Sequence, residues 1–532
     1  MSNVPSWTPT VAVSPEEDAL LRRMTRVRKL FRFLREHRHE LFDAAFQDEL
    51  ASMYRDTGAG RPPLPPAMLC MVTLLQAYMQ VSDAEAVELT VVDRRWQMVL
   101  DCHGATTPLF SQGALAAFRS RLIKHGLDAR LFEQTIALAT RTGAFDPKAL
   151  SRLRIAVDSA PFEGAGRVED TLNMLGHAAR NLLSLCCFYL DVPRTAMTQK
   201  LALNLLAGSS VKAQMDIDWT NEAQRQRGLA KLYDEVQRVV KFARESSVPE
   251  LGQESAASAQ VIEQIVAQNL DLAAGIRIRR GVAKDRRVSV EDSAMRHGRK
   301  SSARRFDGYK RHLGVDLDSG LVLHCGVSAA NSHDSEHMEQ FREAMEAGGW
   351  MLDELHIDRG YLPAGLVEEL YDCGTTIVAK PWSGGHRGRF GKADFRYNLK
   401  TRTLTCPAGQ RTSWQPGAQA VFPAATCSAC VLRERCTSSV SAGRSVSMHR
   451  SEVMHEKLRR QLRTRAGRQR LRERVAVEHA QAHLVARQGR KARYCGQRKN
   501  LFDVRRCAAI LNLHTSLRHC DALEMESTLL AA

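Results

Sequence analysis

The stretch that most restricts this fold is Arg154-Ile-Ala-Val-Asp158-Ser-Ala-Pro-Phe-Glu-Gly-Ala-Gly166. The apolar run 155–157 reads as a short buried strand, and an acid followed by Pro and Gly reads as its end. Asp158 is thereby placed at a strand end, where such a residue ordinarily forms a turn or caps a helix. A second stretch repeats the pattern: residues 352–357 read as a strand that ends on Asp358, followed by Arg359, Gly360 and Tyr361. Two strands of parallel type would carry both aspartates to one sheet edge, where open α/β sheets gather ligand-binding and catalytic groups. A third carboxylate, Glu478, lies in the breaker-free segment 471–479 and should project from a helix.

These motifs, Val157-Asp158-Ser159, Asp358-Arg359-Gly360-Tyr361 and Arg474-x3-Glu478, are joined by Phe306-Asp-Gly-Tyr-Lys310 and Ser328-Ala-Ala-Asn-Ser-His-Asp334. In them the chain resembles the bacterial insertion-sequence transposases of the DDE class. That resemblance implies an RNase H-like catalytic core in which Asp158, Asp358 and Glu478 are catalytic and hold metal. The family commonly shows Tyr-x2-Arg-x3-Glu-x6-Lys on its Glu helix; the Tyr and Lys positions here are Leu471 and Val485. Glu473 is therefore kept as a substitute for Glu478, and an inactive copy stays open. Hard carboxylate oxygens suit Mg²⁺ or Mn²⁺. Two such ions about 3.5–4 Å apart would support in-line phosphoryl displacement, first by water at the element end and then by the freed 3′-hydroxyl on target DNA. Arg474 would contact a phosphate or orient the carboxylate. The implied partners are double-stranded DNA, as terminal repeats and target, and a second copy of the chain in a synaptic homodimer.

The net charge of +17 favours a polyanionic partner. No apolar run approaches a membrane span and the first fifteen residues hold no signal-peptide core, so a cytoplasmic, nucleoid-associated bacterial protein is expected. Thirteen cysteines without a secretory signal read as reduced thiols. In chain order we expect a loose segment at 1–24 and a helical DNA-binding or dimerising domain at 25–145. Helical spacing of Leu30, Phe33 and Leu34, a proline-rich break at 61–66, and a Ser82/Glu85 capping box support the latter. The α/β (α+β) catalytic domain, a mixed sheet with flanking helices, should span 150–515. A helical insertion at 200–285 and a Cys-containing β-rich insertion at 383–450 would interrupt it, and 516–532 would be a tail. Within it, residues 309–316 and 321–327 read as a hairpin, and Asp334 as a helix cap, a structural partner or a rival ligand.

In the second insertion, Cys406, Cys427, Cys430 and Cys436 could make a tetrahedral structural Zn²⁺ site, although only one Cys-x2-Cys pair is present. The alternative is a β-rich insert with reduced thiols. Basic residues placed to contact phosphate are Arg299, Lys300, Arg304, Arg305 and Lys310, then Arg474, and then Arg490, Lys491 and Arg493. The arginine-dense run 459–474 suggests DNA passing beside the Glu helix. A rival function keeps the carboxylates structural and makes the chain a zinc-containing DNA-binding regulator; another is a nuclease that cuts without joining.

Overall fold

In the computed structural model the first of these stretches forms the centre of a mixed sheet. Strand β1 (Leu153–Glu163) pairs parallel with β5 (Leu352–Ile357) on one edge and antiparallel with β3 (Arg305–Asp316) on the other. Beyond β5 lies parallel β6 (Thr376–Ala379). Along the far edge of β3 run β4 (Val322–Ala329) and the short β2 (Arg296–Arg299), both antiparallel to it. Ile155, Ala156 and Val157 are buried, as a central strand covered on both faces requires. The structure describes residues 4–531 except 25–28, 55–61, 147–151, 247, 274, 302 and 382–387. The expected boundaries at 25, 150 and 383, and Arg61 of the proline-rich break, lie outside the described residues.

One expectation about β1 is corrected: the strand does not end at Asp158 but continues to Glu163. Pairing with β5 stops at Val157 opposite Ile357, while pairing with β3 persists to Glu163 opposite Gly308. Between Asp158 and Phe162 one edge of β1 therefore carries no ladder, which is where a strand tolerates a proline such as Pro161. Gly308 is required by this pairing. Its φ is +145°, and a Cβ there would lie 2.3 Å from the Gly164 nitrogen.

The hairpin of β3 and β4 is followed by a helix at Met338–Ala347, then β5, a helix at Gly365–Asp372, and β6. Helices Val475–Gln488 and Gln497–Ala531 return to the sheet. This is an RNase H-like α/β core preceded by an all-helical region. The expected 516–532 tail is largely the continuation of the last helix, which buries Ile510, Leu513 and Ser516.

Residues 4–24 carry more structure than expected. Helix Pro15–Arg23 begins with a Ser14/Glu17 capping box, Glu17 is buried against Arg35, and Trp7 is 7% exposed. The helix carrying Leu30, Phe33 and Leu34 ends at Leu41, and the Asp43 side chain caps the next helix, Ala44–Ala51, by accepting from Phe46 N at 2.9 Å. The Ser82/Glu85 capping box forms. This bundle shares one continuous core with the sheet. Asn512 joins them: its side chain donates to Thr135 Oγ1 and pairs with the Val322 backbone.

The insertion after β1 has a core of its own. Helices Thr171–Tyr189, Glu222–Arg244 and Pro249–Asn269 bury Leu175, Leu182, Val236 and Ile265 among themselves. The later insertion forms a three-stranded and a two-stranded sheet around Phe395, Leu404, Trp414 and Phe422. Among the described residues no helix is long and apolar enough to cross a membrane.

Candidate active site at the sheet edge

Because β1 and β5 are parallel and Val157 faces Ile357 in register, Asp158 within β1 and Asp358 just past the end of β5 come side by side. Glu478 is brought to them from the helix Val475–Gln488. That helix buries Val477, Gln481, Leu484 and Gln488, a stripe of helical periodicity. Gln481 donates from Nε2 to the Asp158 carbonyl at 3.2 Å, and Gln488 accepts from Arg311 Nη1 at 2.8 Å. Glu478 therefore points from the opposite side into a cleft of about 420 Å³ that it lines with Asp158, Asp358, Ser159, Lys310, Asp334, Arg474 and Gln481. Gln481 was not singled out from the sequence; a lone amide within the apolar 477/484 stripe was its one signal.

The charges in this cleft are arranged around Asp158. Arg474 lies 3.2 Å from Asp158 through Nη1 and 2.7 Å from Glu478 through Nη2. Burial pushes the Asp158 carboxyl up, and Asp358 and Glu478 add to this against the pull of Arg474, leaving it at about 6. Asp358 is exposed and accepts from Arg359 N at 2.7 Å. The three carboxylates line one cleft without their oxygens all lying within 4.8 Å of one another, and hard oxygen donors of this kind fit Mg²⁺ or Mn²⁺.

The remaining motifs hold this geometry. Tyr361 is buried and its hydroxyl meets His312 Nδ1 at 2.9 Å, while His312 Nε2 meets Ser328 Oγ at 2.8 Å. The loop after Asp358 is thus tied to β3 and β4. Gly360 lets Asp334 approach, since a Cβ there would lie 2.9 Å from Asp334 Oδ2. Asp334 accepts from Ser159 Oγ at 3.2 Å and from Lys310 Nζ at 2.9 Å. It is a partner of these side chains, while His333 takes the cap of the Asp334–His337 turn.

Glu473 does not line the cleft. It forms an ion pair with Arg154, which also reaches Asp318 at 2.9 Å and Glu354 at 3.6 Å. Glu354 in turn meets Arg470 at 2.7 Å and His356 at 2.8 Å. Ligand atoms of Glu354, His356 and Glu473 lie within 4.8 Å of one another, but two guanidiniums already neutralise these carboxylates. The cluster reads as an ionic clamp between the sheet and the helix Arg465–Glu473 rather than a cation site.

The basic residues divide. Arg299 and Lys300 line the cleft, Lys310 lines it while bonded to Ser332 O and Asp334, and Arg304 and Arg305 are exposed on the same hairpin outside it. Arg490, Lys491 and Arg493 are exposed on a loop that extends the sheet at Glu163, where Lys491 bridges it. Glu163 is five residues beyond Asp158, roughly 17 Å along a strand. In the run 459–474, by contrast, Arg459 is buried against Glu452 and Glu456, Arg460 pairs with Glu456, and Arg470 with Glu354. Much of that density is internal pairing, and Arg465 and Arg472 are among those left exposed.

Cys406, Cys427, Cys430 and Cys436 line one small cavity in the later insertion. Burial pushes the Cys436 thiol up, and the other three thiols add to this against Arg444.

Three carboxylates at the open edge of an RNase H-like sheet, under a basic rim, are a layout suited to phosphoryl transfer on nucleic acid. Comparison with known families agrees: a family model described as Transposase DDE domain matches residues 282–513, and one described as Transposase domain (DUF772) matches residues 18–121. The chain belongs to the insertion-sequence DDE transposases. No curated protein and no solved structure matches it.

Proposed function

We propose that the chain is a metal-dependent transposase that cleaves DNA at insertion-sequence ends and joins the freed ends to target DNA. The observation that supports this best is the convergence of Asp158, Asp358 and Glu478 on one cleft whose rim carries Arg299, Lys300 and Lys310. Asp158, Asp358 and Glu478 would together hold the two Mg²⁺ or Mn²⁺ ions. Ions held there would supply Lewis acidity to the attacking and leaving oxygens of the phosphodiester.

The chain's own groups do the rest. Arg299 and Lys300 bind the backbone phosphates and set the strand's direction across the cleft. Arg304, Arg305, Arg490, Lys491 and Arg493 extend that contact beyond the cleft. Arg474 holds the Glu478 carboxylate beside Asp158 by its two ion pairs. Gln481 fixes the helix on the β1 backbone, so that Glu478 keeps its distance from the sheet edge as charge builds up. The helical amino-terminal region supplies recognition of the ends, and a homodimer is required because two ends are joined. Such a protein works where the DNA is, in the bacterial cytoplasm on the nucleoid.

Incubation of the full chain and Mg²⁺ with a duplex carrying the element's end and a supercoiled target tests this directly. Joined products are expected. Cleavage with no joining would make it a nuclease, and binding with no cleavage would favour the regulator or inactive-copy reading.

A further inference from the structure

The cysteine cavity is not used by the chemistry above, and it lies in a part of the chain that has little else to hold it together. Among the described residues the insertion's core holds eight buried apolar side chains, from Phe395 to Met448. A unit with so small a core ordinarily needs a covalent or metal staple. Its cysteines form no disulfide.

Four of them nevertheless line one cavity. Cys406 sits on a turn closed by Gly409 N donating to its carbonyl at 2.9 Å. Cys427 is in the short helix Ala424–Ser428, Cys430 just follows it, and Cys436 ends the helix Arg433–Cys436. These separate places line one cavity of about 30 Å³, room for a single ion. The lining holds no carboxylate and no histidine. Its donor set is soft sulfur, which selects zinc over the hard cations suited to the Asp158 cleft. Around it, the Arg444 backbone N–H donates to Cys427 Sγ at 3.4 Å. The Arg444 guanidinium turns away to the carbonyls of Cys436 at 2.9 Å and Phe390 at 3.1 Å.

We propose that Cys406, Cys427, Cys430 and Cys436 hold one structural zinc ion that staples this insertion. Among the described residues it is Glu354, His356 and Glu473, not these thiols, whose ligand atoms already lie within 4.8 Å of one another. Binding therefore closes the two cysteine-bearing turns onto the ion. Each thiol releases its proton to solvent on ligation and no oxidation state changes. Four thiolates leave no open position, so the ion does no catalysis. Its effect reaches the Glu478 arm through packing. Lys392 pairs with Glu452 at 2.8 Å, and Arg460 donates to Tyr397 O at 3.0 Å, which seats the insertion on the helix Glu452–Arg463. The site stands whether or not the Asp158 cleft cuts DNA.

The test uses the full-length wild-type chain. Elemental analysis should find one zinc per chain after dialysis against buffer without metal. Replacement by Co²⁺ should give an intense near-ultraviolet thiolate-to-cobalt band, which carboxylate ligands at Asp158 cannot produce. Counting reactive thiols with a disulfide reagent should show four more after treatment with a strong chelator than before. The variant Cys427→Ser with Cys430→Ser removes half of the staple and serves only as a check that the cobalt band disappears. Absence of the band in wild type, or an equal thiol count with and without chelator, would overturn the proposal.

Discussion

Asp158 carries the sharpest consequence at the level of a single residue. Its carboxyl sits at about 6 in the fold, above its ordinary value near 4, so ionisation is disfavoured in the native state. A raised folded value means full stability below the unfolded value and a loss as pH rises through the folded one. Without metal, Asp158→Asn should therefore be more stable than wild type at pH 7.5, by on the order of 1–3 kcal/mol. The advantage should shrink between pH 6 and pH 4 and vanish below. Urea unfolding in chelator across that range measures it; an Asn variant less stable than wild type at pH 7.5 would show that the carboxylates are not crowded. The two aspartates were legible in the sequence because a strand-like stretch, 155–157 and then 352–357, was followed by an acid twice. The extension of β1 past Asp158 was not, because Pro161 is tolerated only where β5 has already ended, which is a fact of pairing rather than of local pattern.

At the level of elements, two assemblies set how the carboxylates are held. The first is the ionic clamp in which Arg154 and Arg470 hold Glu354 and Glu473. Arg154→Ala leaves buried Glu354 with one guanidinium and should cost about 1–3 kcal/mol. It should also slow cleavage through loss of kcat, with DNA affinity unchanged, because it frees the helix leading to Glu478; an equal drop in affinity would mean that Arg154 acts on DNA instead. The second is the buried histidine group under the Asp358 loop. Burial depresses His312, His324 and His337, the last to about 4, and His324 and His337 meet at 2.8 Å. A depressed histidine contributes stability that is present above its unfolded value near 6.5 and lost as pH falls toward the folded one. Urea midpoints in an Asp158→Asn background, where the opposing carboxylate is silent, should fall steadily from pH 7 to pH 5. A flat profile would show these rings to be ordinary. Neither assembly could be read from the chain alone: Arg154, Glu354 and Glu473 are 119 or more positions apart, and only the sheet order brings them together. The same holds for the arginine run, whose density suggested DNA while Glu452, Glu456 and Glu354 take up much of it.

On the scale of the whole molecule, the helical region and the RNase H-like core share one packed core, joined through Asn512, so the end recognition proposed for the helical region would be coupled to the cleft by direct packing. The helical spacing and the capping box were visible beforehand. The shared core was not, because it depends on the last helix crossing both parts. Charge is the other molecular property. Arg299→Ala with Lys300→Ala should weaken DNA binding evenly across sequences and lower the slope of log affinity against log salt by roughly 2. Titrations at several salt concentrations measure that slope, and an unchanged one would place the DNA elsewhere.

The most direct test of the central claim is Mg²⁺-dependent cleavage of a duplex carrying the element's own end by wild type, Asp158→Ala, Asp358→Ala and Glu478→Ala, with binding measured in parallel. Each substitution should lower cleavage at least ~10³-fold while the Kd for DNA stays within about threefold. A Glu478→Ala chain that cuts at the wild-type rate, or three variants that all cut as the wild type does, would contradict it.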